Sequence, residues 1–226
     1  MAQNIKITKR DLKEDKFTTN MLLSKDYIMT NWVFFAGGAA VIILIVLGIT
    51  FLQQEQSRKE IMAAEIYNRA ASQLIGKSYQ LAIVDYKLII DEYGSSAVAE
   101  QAAFELGNAQ FYARQFNEAK VAFEDYLSEY EDNNKYFTTS AMAGIAASLA
   151  GIGDMAGAAD MYRVAAEKYP DFDMAGQYYF DAMKHYALAE NIESARVIFA
   201  KLTNDYKNSR YYRDALRLAG EYGIEL

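Results

Sequence analysis

Cysteine is missing from all 226 residues, and proline, tryptophan and histidine occur once each. Without cysteine there is no disulfide scaffold, thiolate metal site, cysteine nucleophile or lipid-modified cysteine anchor. The absence fits an oxidising compartment, although many cytosolic proteins share it. With Pro170 alone and abundant Ala, Leu, Glu and Lys, helix is favoured throughout. His185 has no second His, and no Cys, with which to build a metal set or a nucleophilic pair, so it reads as a packing or surface residue. Three glycines fall in "GIGDMAG" (151–157), but this is a turn between helices and not a phosphate loop after a strand. No convergent catalytic motif is found, and the chain is read as a non-enzyme without cofactor or metal. Positive charge is also in short supply: 23 Lys and Arg face 30 Asp and Glu. Residues 1–32 hold six basic and four acidic residues, and the remainder carries a net charge of −9. Such an acidic domain repels phosphate backbones, so nucleic acid is not expected; with no catalytic motif, a small-molecule substrate is not expected either.

Twenty consecutive residues, Val33 to Leu52, carry no charge, and Thr50 is their only clearly polar member. At about 1.5 Å per residue they span about 30 Å, the thickness of a bilayer's hydrocarbon. A core helix is usually amphipathic, whereas this stretch is apolar all round. A signal peptide has a short basic start, a shorter apolar core and a small-residue cleavage site. Here 32 residues precede the run, "TFLQQEQ" offers no cleavage site, and Trp32 and Gln53-Gln54 mark the two boundaries. The reading is an uncleaved transmembrane helix, with a long signal peptide as the alternative. Gly37, Gly38, Ala39 and Ala40 make one end small, either as filler or as a place for another membrane helix to approach. Basic residues tie close to the span: Lys13, Lys16 and Lys25 before it, Arg58, Lys59 and Arg69 after. Short loops obey the positive-inside rule while long domains translocate regardless, which places the tail in the cytoplasm and the C-terminal domain outside. In that tail Thr8, three residues before Asp11, is a candidate helix cap, and Phe17, Met21 and Ile28 share one face; a surface helix and disorder both remain open.

Four segments beyond the span repeat one pattern: "YQLAIVDYKLIIDEY", "FNEAKVAFEDYLSEY", "MAGAADMYRVAAEKY" and "IESARVIFAKLTNDY". They centre on Ala82, Ala119, Ala158 and Ala195, spaced 37, 39 and 37 residues apart. Four residues on stands an aromatic (Tyr86, Phe123, Tyr162, Phe199), and eleven on a tyrosine (Tyr93, Tyr130, Tyr169, Tyr206). Chance would place those four tyrosines on the order of once in 10⁴–10⁵. A small Ala lets the second helix of a pair lie close to the first, and the aromatic one turn later fills the space beyond. Upstream of each Ala lies another helical stretch, clearest in "AEQAAFELGNAQFYARQ". No Pro or Gly occurs from Ile49 to Ile75, so the span is expected to run through the polar "QQEQSRKE" into the first repeat helix and hold the array near the membrane at a restricted angle.

The pattern resembles the tetratricopeptide repeat: a Leu-Gly pair, an Ala twelve residues after that Gly, an aromatic at +4 and often a Pro at +12. Leu106-Gly107 with Ala119 matches most fully, and Pro170 fills the proline place of the third unit. The units exceed the usual 34 residues, the extra length falling in "GSSAVAE", "EDNNKYFTT" and "PDFDMAG". The resemblance covers about residues 61–208. It implies an all-α chain: an N-terminal transmembrane helix (33–52) after a charged cytoplasmic tail (1–32), a polar helical spacer (53–60), and an α-solenoid (61–226). The solenoid has about four helix pairs and a capping helix with Arg210, Arg213, Asp214 and Arg217 on its polar side. In such solenoids the first helix of each pair lines a concave groove. Position by position, that puts Tyr67, Gln101, Phe104, Asn108, Phe111, Tyr112, Gln177, Phe180 and Lys184 there, with Ser140, Ala143 and Ala147 from the third unit. An aromatic, polar-edged groove suits an extended peptide or an amphipathic helix; inter-repeat packing is the competing reading of Phe104 and Phe111. Of the groups that clamp a C-terminal carboxylate only Asn108 is in place, because Phe104 and Tyr112 stand where Lys belongs.

The layout is similar to the ancillary Sec-translocon subunit family of Gram-negative bacteria, single-span inner-membrane proteins with a periplasmic tetratricopeptide domain. That resemblance implies a role assisting exported polypeptides beside the translocon with a periplasmic chaperone, and contact with translocon subunits. The long, tyrosine-ended units also resemble periplasmic repeat proteins of outer-membrane assembly and of the Tol-Pal system, which lack this anchor or use a lipidated Cys. The alternative role is a structural scaffold in an envelope complex serving outer-membrane assembly, division, secretion or motility.

Overall fold

The computed structural model describes residues 9–131 and 133–226, and it does not describe the side chains of residues 9–18 or 26; the cap expected at Thr8 and the side chain of Phe17 lie outside the described residues. Ten α-helices and no strand occur among the described residues. The chain divides after Ser57 into two compact units.

The first unit holds α1 (Lys9–Thr30) and the start of α2 (Trp32–Ile75). α1 is helical, with Met21 and Ile28 exposed. The backbone leaves α1 at Asn31, where the Tyr27 and Phe35 rings meet edge to face, their centroids 6.2 Å apart. α2 runs for 44 residues without a break, as the lack of Pro and Gly after Ile49 predicts. Its apolar part reaches a mean hydropathy of 2.6 over 18 residues, none of them buried, so α2 is long and apolar enough to cross a membrane.

The second unit is an array of helix pairs. The end of α2 pairs with α3 (Tyr79–Tyr93), α4 (Ala99–Tyr112) with α5 (Phe116–Tyr130), α6 (Lys135–Gly151) with α7 (Met155–Lys168), and α8 (Ala175–Leu188) with α9 (Ile192–Asp205). α10 (Arg210–Tyr222) closes the array on α8 and α9. We call the members of each pair helix A and helix B. Every central alanine is fully buried: Ala82, Ala119, Ala158 and Ala195 each have 0% exposure. These are the points where helix B meets its neighbours, and a larger side chain there would push the helices apart.

The aromatic one turn later fills the gap. Phe123 shows how tightly: its ring lies between two helix A backbones, at Gly107 of its own pair and Gly144 of the next. A Cβ at Gly107 would sit 2.6 Å from the ring, and one at Gly144 2.5 Å. Only glycine permits that approach. The end-of-helix tyrosines also bind: the Tyr206 hydroxyl donates to the Pro170 carbonyl (2.9 Å), and Tyr169 lies beneath the Lys135 and Lys168 ammonium groups.

The turns between A and B repeat too. Five residues before each central alanine stands a residue with left-handed backbone: Lys77 (φ 60°), Arg114 (φ 60°), Gly153 (φ 96°) and Glu190 (φ 58°). In the third and fourth units the next residue caps helix B, Asp154 accepting from the Gly157 N–H (2.9 Å) and Asn191 from the Ser194 N–H (3.1 Å). The extra length expected as a loop in "EDNNKYFTT" is partly helix: α6 starts at Lys135, runs 17 residues against 14 in α4 and α8, and is capped by Asn134, which accepts from the Tyr136 and Phe137 N–H groups.

One ion pair stands apart from the surface ones. Arg69 grips Asp85 with two hydrogen bonds, Nε to Oδ2 (2.8 Å) and Nη2 to Oδ1 (2.7 Å), and Asp85 is buried. Those bonds hold the Asp85 carboxyl below its usual range. Arg69→Ala should therefore lower the melting temperature more than breaking the exposed Lys120–Glu124 pair, since it strands a buried carboxylate. A depressed carboxylate stabilises above its unfolded pKa and ceases to as pH falls, so the gap between Arg69→Ala and wild type should shrink below about pH 4. Melting curves at pH 7 and at about pH 3 check both statements.

Candidate binding surface

The nine residues placed on the helix A face by repeat position fall into three local pairs and three strays. Tyr67 and Asn108 come together around a residue absent from the sequence reading, Glu105. The Asn108 amide donates to Glu105 Oε2 (3.1 Å). Burial pushes the Tyr67 hydroxyl up to about 12, and the Glu105 charge adds to it. The Tyr67 ring lies 5.8 Å from that of Tyr86. Burial likewise raises the Glu105 carboxyl above its ordinary value, against the pull of the Asn108 bond.

Phe111 and Tyr112 form the second set with Phe116, at centroid distances of 5.9 and 5.5 Å. Phe111 is half-buried, whereas Tyr112 is 56% exposed and stacks on Tyr79. Gln177 and Lys184 form the third set, again around an acid that was not singled out, Asp181. Gln177 hydrogen-bonds the Asp181 carboxyl and its Oε1 accepts from the Tyr211 hydroxyl of α10 (2.8 Å). Lys184 is exposed and its charge acts on Asp181. Burial raises Asp181 to about 6, more than Lys184 and Gln177 lower it.

Gln101, a stray, is simply exposed. Phe180 is half-buried against the core of the last two pairs. Phe104 belongs to the core: it is 7% exposed, with rings of Phe137, Phe123 and Tyr126 at 5.0, 5.8 and 5.8 Å. Packing is thus the part it plays, because the extended first turn of α6 carries Phe137 over it. Ser140, Ala143 and Ala147 are half-buried and give the third unit a small, smooth face.

His185 packs. Its Nδ1 donates to the Asp181 carbonyl (2.7 Å) and its ring lies 5.0 Å from that of Tyr162. Burial lowers its pKa. Among the described residues no cluster of three His, Cys, Asp or Glu is arranged to hold a metal ion.

Residues 25–161 match the family model of the tetratricopeptide repeat-like domain. The chain belongs to that family. A search of curated proteins finds no match. The tetratricopeptide repeat-like match starts within α1, takes in all of α2 and ends midway along α7, so it covers the first two helix pairs and part of the third. Domains of this family serve as protein-interaction modules and are typically non-catalytic. Glu105 and Asp181 carried a signal that the repeat frame makes visible: each stands 14 residues before its central alanine, one place after Phe104 and Phe180.

Proposed function

We propose that the protein is a membrane-anchored protein-binding module. In this reading α2 crosses the bacterial inner membrane, the tail lies in the cytoplasm, and the repeat domain lies in the periplasm. There the helix A face takes segments of exported polypeptides, or of a chaperone, beside the Sec translocon. One observation carries the reading: a single family match spans both the unburied apolar part of α2 and the first two helix pairs with part of the third. The six Lys and Arg of the tail support the orientation. The exposed, stacked Tyr112 supports the surface, since large aromatics anchor interfaces.

A photo-crosslinking residue at position 112 in living cells tests it. Newly exported polypeptides or translocon subunits are the expected adducts. Capture of neither overturns the reading. Stable, stoichiometric co-purification with one envelope assembly while export is blocked would instead establish the scaffold role. Added protease should digest the repeat domain in spheroplasts, and protection there would reverse the orientation.

A further inference from the structure

The helix that closes the array carries charge of the opposite sign to its domain. Beyond residue 32 the chain has a net charge of −9, yet residues 207–217 hold four cations and one acid. Three of the cations, Arg210, Arg213 and Arg217, stand at i, i+3 and i+7 of α10, so they line one strip of the helix. All three are exposed, as is Lys207, while Ala215 and Ala219 bury the opposite side.

A closing helix needs polar groups to meet solvent, and two features here go beyond that need. The first is placement against the helix dipole. Arg210 and Arg213 lie in the first turn of α10, which contains no acid, and the amide dipoles there disfavour positive charge. Acids in the same places would solvate the end equally well and support the helix. The second is a fixed geometry. The Arg210 guanidinium lies 4.7 Å from the Tyr211 ring centroid, and its Nη2 donates to the Tyr211 hydroxyl (2.7 Å). That hydroxyl donates in turn to Gln177 Oε1 on α8 (2.8 Å), which ties Arg210 to the body of the array. Among the described residues no carboxylate pairs with Lys207, Arg210 or Arg213, and Arg217 reaches only Asp214, at 3.6 Å. An ordered guanidinium with N–H donors to spare is a ready partner for a carboxylate, which it meets through two parallel hydrogen bonds.

We infer that the strip of Arg210, Arg213 and Arg217, with Lys207 just before it in the chain, is a second docking surface that takes an acidic segment of a partner protein, with Arg210 as its anchor. The match is one of charge. A short acidic segment feels the local positive strip within the screening length of about 10 Å. A broad anionic layer such as lipid headgroups faces the net −9 of the whole domain as well, and is repelled. The strip belongs to α10, so it adds a surface to the helix A face and does not depend on the reading given for that face.

Fluorescence anisotropy tests this with the full-length protein held in uncharged phosphatidylcholine nanodiscs. The probe is a labelled twelve-residue peptide of alternating Glu and Ser, with a Gln-Ser peptide as control. The wild type should bind the first and not the second. Arg210→Gln and Arg213→Gln should each weaken binding about fivefold, and Arg210→Gln, Arg213→Gln and Arg217→Gln together should abolish it. Lys87→Gln on the exposed face of α3 makes the same charge change and should leave affinity unaltered. Arg210→Lys keeps the charge and loses the planar fork, so it should bind more weakly than the wild type; equal affinity overturns the anchor role. Arg213→Gln should leave the melting temperature unchanged or raise it, since it takes a cation from the helix start. Absent wild-type binding, an equal loss in Lys87→Gln, or affinity that falls only where the melting temperature falls overturns the whole. Capture of the protein by tagged empty phosphatidylglycerol nanodiscs, lost in the triple variant, would give the strip to lipid headgroups, and association of the protein's own nanodiscs, lost likewise, would give it to a second copy; either overturns the acidic segment. If crosslinking from position 112 still captures polypeptides in cells carrying the triple variant, the helix A reading stands whatever the strip does.

Discussion

Phe123→Ala should destabilise the repeat domain by about 3–5 kcal/mol, the largest loss expected from any single truncation in it. Phe123 is 1% exposed, touches Phe104, and fills the gap between Gly107 and Gly144. Removing the ring leaves a cavity that helices from two successive pairs border. Neither glycine can extend a side chain into it, so relaxation is limited. Filling the same space from the other side should also cost: Gly144→Ala should destabilise by about 1–3 kcal/mol through overpacking. The two effects should not add. Phe123→Leu combined with Gly144→Ala should be more stable than the sum of the single changes predicts, because the smaller side chain makes room for the new methyl group. Guanidinium unfolding of the four variants in neutral detergent measures the coupling, and strict additivity would show that the ring is not held between the two backbones.

Asp181→Asn should work in the opposite direction and raise stability at pH 8. Burial lifts the Asp181 carboxyl from 3.8 to about 6 in the folded protein. The folded state therefore binds a proton more tightly than the unfolded chain does. Stability from this group is fully present below about pH 4 and is lost as pH rises through about 6. At pH 8 the charged form costs about 3 kcal/mol at most, which the amide avoids. The groups around it keep their roles: Lys184 and Gln177 from α8, Tyr162 from α7, Tyr178, and His185 on the Asp181 carbonyl. The gain should appear as a melting temperature higher by about 5–10 °C at pH 8, and it should vanish at pH 4.

The repeat frame was legible in the sequence because its physics is local. A buried alanine, an aromatic one turn later and a closing tyrosine have to recur wherever helices of one size stack, and all four frames lie where spacing put them. The apolar half of α2 was legible for a similar reason, since hydropathy over twenty residues needs no tertiary partner. The face residues were less so. Phe104 and Tyr112 share one helix, and what separates buried from exposed is the cover supplied by the next pair. Phe137 supplies it to Phe104 because α6 is about a turn longer, a lengthening the sequence suggested as loop. Glu105 and Asp181 escaped because an acid on a helix ordinarily points to water. Only the aligned units, with the phenol of the preceding helix B in view, show them as recurrent. The Arg69–Asp85 grip joins residues 16 apart on two helices, a separation that carries no periodic signal.

The left-handed turn residues carry a consequence for how the array could be made sturdier. All four hairpins bend through the same backbone shape, yet only the third uses glycine, while Lys77, Arg114 and Glu190 hold it at a conformational cost of about 1 kcal/mol each. Those three corners are untapped headroom: easing them with glycine leaves the stacked core untouched. The array is thus tuned for sufficiency and not for maximal durability, with its slack held at the hinges outside that core.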